Sequence, residues 1–283
     1  MKLDFIYIGP DKSGSTWLFN IFKQHKKIFV PDAKDIYFFD RYYNKGFKWY
    51  ENFFKESTQS QIVGEISHDY MFNSEAINKI IKQYPNIKLF TVLRNPFEKI
   101  WSQYLFLIRS GVTNKPFKDA IKEHDELLEK CLYGKYLSMY YNMESKNIKI
   151  LLFDDLKKEP KIFAERIFQF LNVGFQENID YYEKTLPASK PNSFFIAKMA
   201  KKSAIILREL GLVNLLGKIK SNKFINKILY KPYTKENKPK MTQEDFEFIY
   251  SILLDDIEKL ENLIGLDLEN WKNHKVKDES RTK

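Results

Sequence analysis

Hydrophobic positions follow two different periods along the first 170 or so residues of the chain. Short apolar runs at Phe5–Ile8, Ile62–Ser67, Lys88–Arg94 and Ile148–Phe153 are rich in β-branched and aromatic residues, and turn-forming or polar residues follow each. That pattern predicts strands, with the uninterrupted run at 88–94 buried on both faces as in a parallel sheet. Between the runs, apolar residues recur at helical spacing: Trp17, Leu18, Ile21 and Phe22, then 74–83 with Ser74 as N-cap, 97–110 and 162–171. Ile28–Pro31 reads as a short extended piece, and the aromatic-rich stretch 42–54 as a helix lying over a cleft. Helices are also expected at 117–132 and 134–144. Strand and helix alternate in the manner of βαβ units, which predicts an α/β fold with a mostly parallel central sheet flanked by helices.

Beyond Val173 the alternation stops. Residues 181–195 read as an extended loop with two prolines, and a helix capped by Thr242 runs to about Leu263. A single domain over 1–283 is expected, with an α/β nucleotide-binding core at 1–195 and a basic helical extension at 196–283. The net charge of +10 is uneven: residues 198–240 hold twelve Lys and Arg against two acids, Glu209 and Glu236. Such a segment suits an acidic polysaccharide, a nucleic acid or an anionic lipid surface, or is simply a solvated face. The one cysteine, Cys131, excludes an internal disulfide and agrees with a reducing cytoplasm. Asp4 falls early in the sequence, and no apolar run approaches the roughly 20 residues of a spanning helix. A cytoplasmic protein is therefore expected.

Candidate chemistry concentrates where the first strand meets the first helix. In Gly9-Pro-Asp-Lys-Ser-Gly-Ser-Thr-Trp17 the turn leads into a helix N-terminus, where free amides and the positive end of the dipole favour an oxyanion. Lys12 adds a charge, and Ser13, Ser15 and Thr16 add hydroxyls around Gly14. The glycines have P-loop spacing, but Ser15-Thr16 stands where Lys-Ser/Thr is expected and the lysine has moved forward to Lys12. A second stretch, Arg94-Asn-Pro-Phe-Glu-Lys-Ile-Trp-Ser102, puts an arginine at a strand end and a hydroxyl two turns into the next helix, a pairing suited to phosphate.

Together, in this order and about eighty residues apart, the two stretches resemble the sulfotransferases that use 3′-phosphoadenosine 5′-phosphosulfate (PAPS), in particular the heparan-sulfate and carbohydrate type. The resemblance runs from Phe5 to about Asn172 and includes Gly134-Lys-Tyr136 and Phe153-Asp-Asp-Leu156. It implies a P-loop-like three-layer fold and no metal requirement. Lys12 to Thr16, with Trp17 beside them, would hold the 5′-phosphosulfate at the head of the first helix, with Lys12 as electrophilic catalyst. Arg94 and Ser102 would hold the 3′-phosphate, and Tyr136 would lie near the adenine.

Two residues compete as the base that deprotonates a hydroxyl or amine acceptor. Asp35, in Lys34-Asp-Ile-Tyr-Phe-Phe39, resembles the Glu-x-x-Phe-Phe element of heparan-type enzymes, and His68 occupies the Lys-Thr-His location of small-molecule sulfotransferases. Ile66 stands where heparan-type enzymes carry a lysine. Tyr37, Phe38, Phe39, Tyr42, Tyr43 and Trp49 either wall an acceptor cleft for a carbohydrate or small molecule, or form core. Two other functions remain open from the residues alone: a P-loop nucleotide or small-molecule kinase, and an anion-binding module that docks on acidic polymer through 198–240.

Overall fold

The computed structural model describes residues 2–32, 34–141, 148–183, 188–234 and 237–276. Its centre is a five-stranded, wholly parallel sheet in the order β2 (Ile28–Phe29), β3 (Ile62–Ile66), β1 (Phe5–Tyr7), β4 (Lys88–Leu93) and β5 (Ile148–Leu152). Successive side chains of a strand point to opposite faces, and here both faces are buried. Phe5, Tyr7, Phe90 and Val92 enter one core with helices α1 (Ser15–Gln24) and, after β5, Pro160–Leu171. Ile6, Ile8, Leu89 and Leu93 enter the other. The sheet is therefore the middle of three layers, as the apolar runs predict.

The helices that complete the first layers are α2 (Phe47–Glu51), α3 (Ser74–Gln83), α4 (Pro96–Arg109), α5 (Phe117–Glu123), α6 (Glu126–Glu129), α7 (Tyr133–Leu137), α8 (Phe153–Lys158) and α9 (Pro160–Leu171). Three differ from the sequence reading. The stretch 42–54 is two 3₁₀ turns on either side of the short α2, because Gly46 sits at φ 76 and breaks the helix while Phe38 stacks on Tyr50 at 4.4 Å. The expected 117–132 helix divides at His124, whose φ and ψ of −131 and 74 leave the helical region. Asn73, not Ser74, caps α3, accepting from the Ala76 amide at 3.1 Å. The last part of the 134–144 prediction lies outside the described residues; its first part forms α7.

The C-terminal part comprises β6 (Ser189–Pro191), α10 (Phe194–Glu209), α11 (Val213–Ser221), α12 (Lys223–Leu229), β7 (Tyr230–Pro232), α13 (Gln243–Ile264) and α14 (Glu269–Lys272). β6, from within the expected loop, pairs antiparallel with β7, so a strand before residue 195 is completed by one well after it. α13 packs Phe246, Ile249, Leu253, Ile257 and Leu260 into the same core as α4 and α7. Its Asp256 accepts the Gly134 and Lys135 amides at 2.8 and 2.7 Å, and a Cβ on Gly134 would lie 2.6 Å from the Asp256 carbonyl oxygen. Thr242 caps α13 in a reciprocal capping box with Asp245.

Candidate active site

Strand order decides where the site forms. β1 lies between β3 and β4, so the loops leaving the carboxyl ends of these three strands meet at one edge, the place where open α/β sheets bind ligands. The loop after β1 carries Lys12, the turn after β3 carries His68, and the turn after β4 carries Arg94. Gly9 makes the approach possible: at φ 126, a Cβ there would lie 2.2 Å from the His68 carbonyl oxygen. Tyr7 and Thr91 hydroxyls donate to the carbonyls of Pro10 and Gly9, each at 2.5 Å, and pin the loop to the strands below it. Buried Lys99 of α4 stands 3.3 Å from Asp11. Burial pushes the Asp11 carboxyl up, but Lys99 and His68 outweigh it and hold the group below its ordinary range.

Lys12 takes φ 60, and Gly14, at φ 92, precedes the first turn of α1. The helical ladder begins with the Leu18 amide donating to the Gly14 carbonyl at 2.9 Å. The amides of Ser15, Thr16 and Trp17 therefore precede the first helical bond and are available to an anion. Ser13 is buried, its hydroxyl donating to the Asp11 carbonyl at 3.3 Å. The Trp17 side chain is an anchor: its indole N–H donates to the Tyr181 carbonyl at 2.9 Å and its ring packs edge-on to Phe163.

Cations from three other elements converge on this loop and its own Lys12. Arg94 donates to the Lys12 carbonyl at 3.0 Å and is held by Glu98 through two bonds of 3.2 and 3.0 Å. Lys34 donates to the hydroxyls of both Ser15 and Thr16 at 3.0 Å. The Lys12 ammonium lies over the Phe106 ring at 4.7 Å. Arg109 stacks on Tyr230 at 4.0 Å, and its Nε is buried without a hydrogen-bond partner among the described residues. Glu98, Ser102, Phe106 and Arg109 fall on one face of α4 at three- and four-residue spacing, so a single helix supplies the arginine clamp, the predicted serine and two further contacts. Burial, then Arg109, Lys34 and Arg94, bring the Lys12 pKa down to about 8, with Asp11 opposing. Such mutual repulsion among fixed cations is relieved by an anion.

Asp35 and His68, which the sequence presents as rivals, are one unit. The Asp35 amide donates to the carbonyl of Ile66 at 2.8 Å, so the segment after β2 runs beside the end of β3. The Asp35 Oδ1 then lies 2.6 Å from His68 Nδ1, an ion pair outside hydrogen-bonding alignment. The other ring nitrogen, Nε2, is 2.8 Å from the Tyr37 hydroxyl. Asp35 and Tyr37 both occupy the left-handed region, at φ 68 and 58, a strained placement for non-glycine residues of the sort that collects at functional sites. Burial opposes charge on both partners, but each charge sustains the other: His68 titrates above its ordinary value and Asp35 well below its own. Arg208 of α10 reaches 4.0 Å from the second Asp35 oxygen and covers the Tyr37 ring.

The remaining predicted residues are more dispersed. Ser102 is half-buried on α4. Tyr136 donates to Glu129 at 3.0 Å and meets Phe72 edge-on, contacts that tie it to α6 and the 70–72 turn, not to the loop. The aromatic stripe divides: Phe38 and Phe39 are core, Tyr42 and Trp49 are half-buried, Tyr43 is exposed, and Tyr37 faces His68. Lys34, Arg109 and Arg208 were not singled out from the sequence. Arg109 could have been found from the α4 face it shares with Ser102; Arg208, 173 positions after Asp35, carries no local signal.

The sequence matches the family model for the sulfotransferase domain over residues 2–262. It is 32% identical over 140 residues to the membrane-associated sulfotransferase kil1 of Dictyostelium discoideum, covering 46% of this chain and 30% of that protein. It is 23% identical over 295 residues to the bifunctional heparan sulfate N-deacetylase/N-sulfotransferase 4 of Mus musculus, covering 94% of this chain and 31% of that one. This chain thus spans under a third of the length of either relative. Among solved structures, a sulfotransferase from Alicyclobacillus acidocaldarius superposes with a TM-score of 0.70 at 18% identity, covering 96% of this chain and 99% of that one, a likeness of fold. The kinase and the non-enzymatic module gain nothing from these matches, and with the family model fitting nearly its whole length the chain belongs to the sulfotransferase domain family.

Proposed function

We propose that this chain, acting as one domain, transfers the sulfuryl group of PAPS to a hydroxyl or amine of a carbohydrate or small molecule. The observation that carries the reading is the convergence of Lys12, Lys34 and Arg94 on a helix N-terminus, together with the depressed pKa of Lys12. Lys12, the amides of Ser15 to Trp17 and the hydroxyls of Ser15 and Thr16 bind the 5′-phosphosulfate and neutralise charge that grows on the bridging oxygen as the sulfur–oxygen bond breaks. Arg94 and Ser102 bind the 3′-phosphate. Tyr136 is assigned to the adenine side on resemblance alone. As the acceptor oxygen or nitrogen bonds to sulfur, its proton passes to the Asp35–His68 pair, onto the imidazole in its neutral form with the Asp35 carboxylate holding the imidazolium that results, and the 3′,5′-bisphosphate leaves. Tyr37 and Arg208 hold that pair in place.

An acceptor of the heparan sulfate type is one candidate, on the name of the mouse relative. The lone, buried Cys131 agrees with a reducing compartment, and we place the reaction in the cytoplasm. The test is thermal melting with adenosine 3′,5′-bisphosphate in EDTA, followed by turnover of radiolabelled PAPS over pooled acceptors. Selective stabilisation by the bisphosphate without metal is expected; stabilisation only by ATP with Mg²⁺ would sink the proposal.

A further inference from the structure

The basic segment is built inside-out. On α10 the face turned to the protein is lined mainly by alanines: Ala197 is 1% exposed and Ala200 and Ala204 are half-buried, with Leu207 and the inward-reaching Arg208 beside them. The large apolar side chains point the other way. Phe195, Met199, Ile206 and Leu210 share an arc of about 60°, at 100° per residue, and Phe195 and Leu210 are 71% and 67% exposed. Exposed Lys202 borders this arc, about 20° outside it, and exposed Lys198 lies about 60° outside it on the same side. Exposed Leu212 and Leu215 follow around α11, and Phe224 and Ile228 on α12, where Phe224 is 72% exposed.

This face is not the result of a helix standing loose from the fold. A Cβ on Gly111 would lie 2.6 Å from the Phe194 carbonyl oxygen, and one on Gly211 would lie 2.9 Å from the Trp49 indole nitrogen. α10 is therefore pressed against the core at both ends. Large apolar groups at this density on an outer face mark a contact surface.

Charge selects the partner. Residues 198–240 hold twelve Lys and Arg against two acids, so a second copy of this chain would bring like charges together. An acidic polysaccharide or nucleic acid would neutralise the lysines but leave the phenylalanines in water. An anionic bilayer accepts both, with apolar side chains at the acyl boundary and lysines at the headgroups. Among the described residues no helix is long and apolar enough to cross a membrane.

We propose that the α10–α12 unit docks this protein on an anionic phospholipid bilayer, with Phe195, Met199, Ile206 and Leu210 entering the interface and Lys198 and Lys202 contacting headgroups. This stands apart from the proposed reaction. The test is flotation of the full chain with phosphatidylcholine vesicles, with and without phosphatidylserine, at low and raised salt. Salt-sensitive binding to the phosphatidylserine vesicles alone is expected. Phe195→Ser/Leu210→Ser and Lys198→Glu/Lys202→Glu should each weaken it by about tenfold or more, while melting like wild type shows both variants folded. No flotation of the wild-type chain at low salt overturns the proposal. So does binding that the Phe195→Ser/Leu210→Ser variant retains in full, or a soluble dimer that this variant dissociates with no vesicle binding.

Discussion

Replacing Lys12 by methionine should make the ligand-free protein more stable and leave it unable to respond to its ligand. The ammonium is held at a pKa of about 8 against an ordinary 10.5, a difference worth roughly 3 kcal/mol at about 1.4 kcal/mol per unit. The folded value lies below the unfolded one. Charging Lys12 therefore penalises the native state in full below pH 8, and the penalty fades as pH rises to 10.5, where both states are neutral. Methionine keeps the stem and a contact with Phe106 but not the charge. At pH 7 Lys12→Met should raise the ligand-free melting temperature by several degrees and abolish the rise that adenosine 3′,5′-bisphosphate produces in wild type. In wild type the bisphosphate Kd should climb by up to about tenfold per pH unit above pH 8, as the ammonium must be recharged to meet the anion. Lys12→Arg should bind with little pH dependence. Melting curves and calorimetric titrations from pH 7 to 9.5 read both effects. A Lys12→Met protein that melts below wild type at pH 7, or a wild-type Kd flat to pH 9.5, would refute the electrostatic account of this loop.

Arg94→Ala should weaken bisphosphate binding by tenfold or more, since it removes a charge and frees Glu98 to repel the ligand; binding equal to wild type would remove Arg94 from the donor site. Asp35→Asn and His68→Ala should each cost most of the turnover, and the double variant little more than the worse single, because the two act as a pair. Additive losses in kcat would mean independent roles. Glu65, fully buried under the hydroxyls of Tyr50, Ser67 and Tyr70, is pushed by burial up to about 7. Its folded pKa exceeds the unfolded one, so its contribution to stability is present below about 4.5 and lost as pH rises to 7, by up to roughly 3 kcal/mol. Denaturant unfolding of Glu65→Gln should show a flatter pH profile and greater stability than wild type at pH 8. Gly9→Ala should fail to fold or lose bisphosphate binding, because its Cβ has no space beside the His68 carbonyl.

Local pattern alone reveals the five strands of the parallel sheet and most of the helices, since a buried parallel strand must be apolar on both faces and a packed helix on one; β6 and β7, short and polar, escape it. The candidate anion loop is legible in the same way, because glycine spacing, a lysine and hydroxyls at a helix start are local facts. Where a boundary depended on a neighbour, local pattern was insufficient. The stretch 42–54 has helical composition, yet Gly46 and the stacking of Tyr50 on Phe38 divide it.

Which residues meet was decided by the tertiary structure alone. Strand order puts β1 between β3 and β4 and thereby brings Lys12, His68 and Arg94 to one edge. The passage of the 34–39 segment beside the end of β3 turns two rival bases into one ion pair and lays Lys34 on the loop hydroxyls. No spacing along the chain encodes these contacts, because a side chain's partners across the sheet are set by crossover and packing. The same holds for the basic segment. Its charge was plain in the sequence, but that α10 turns alanines and Arg208 inward and Phe195 outward is set by its packing against the core.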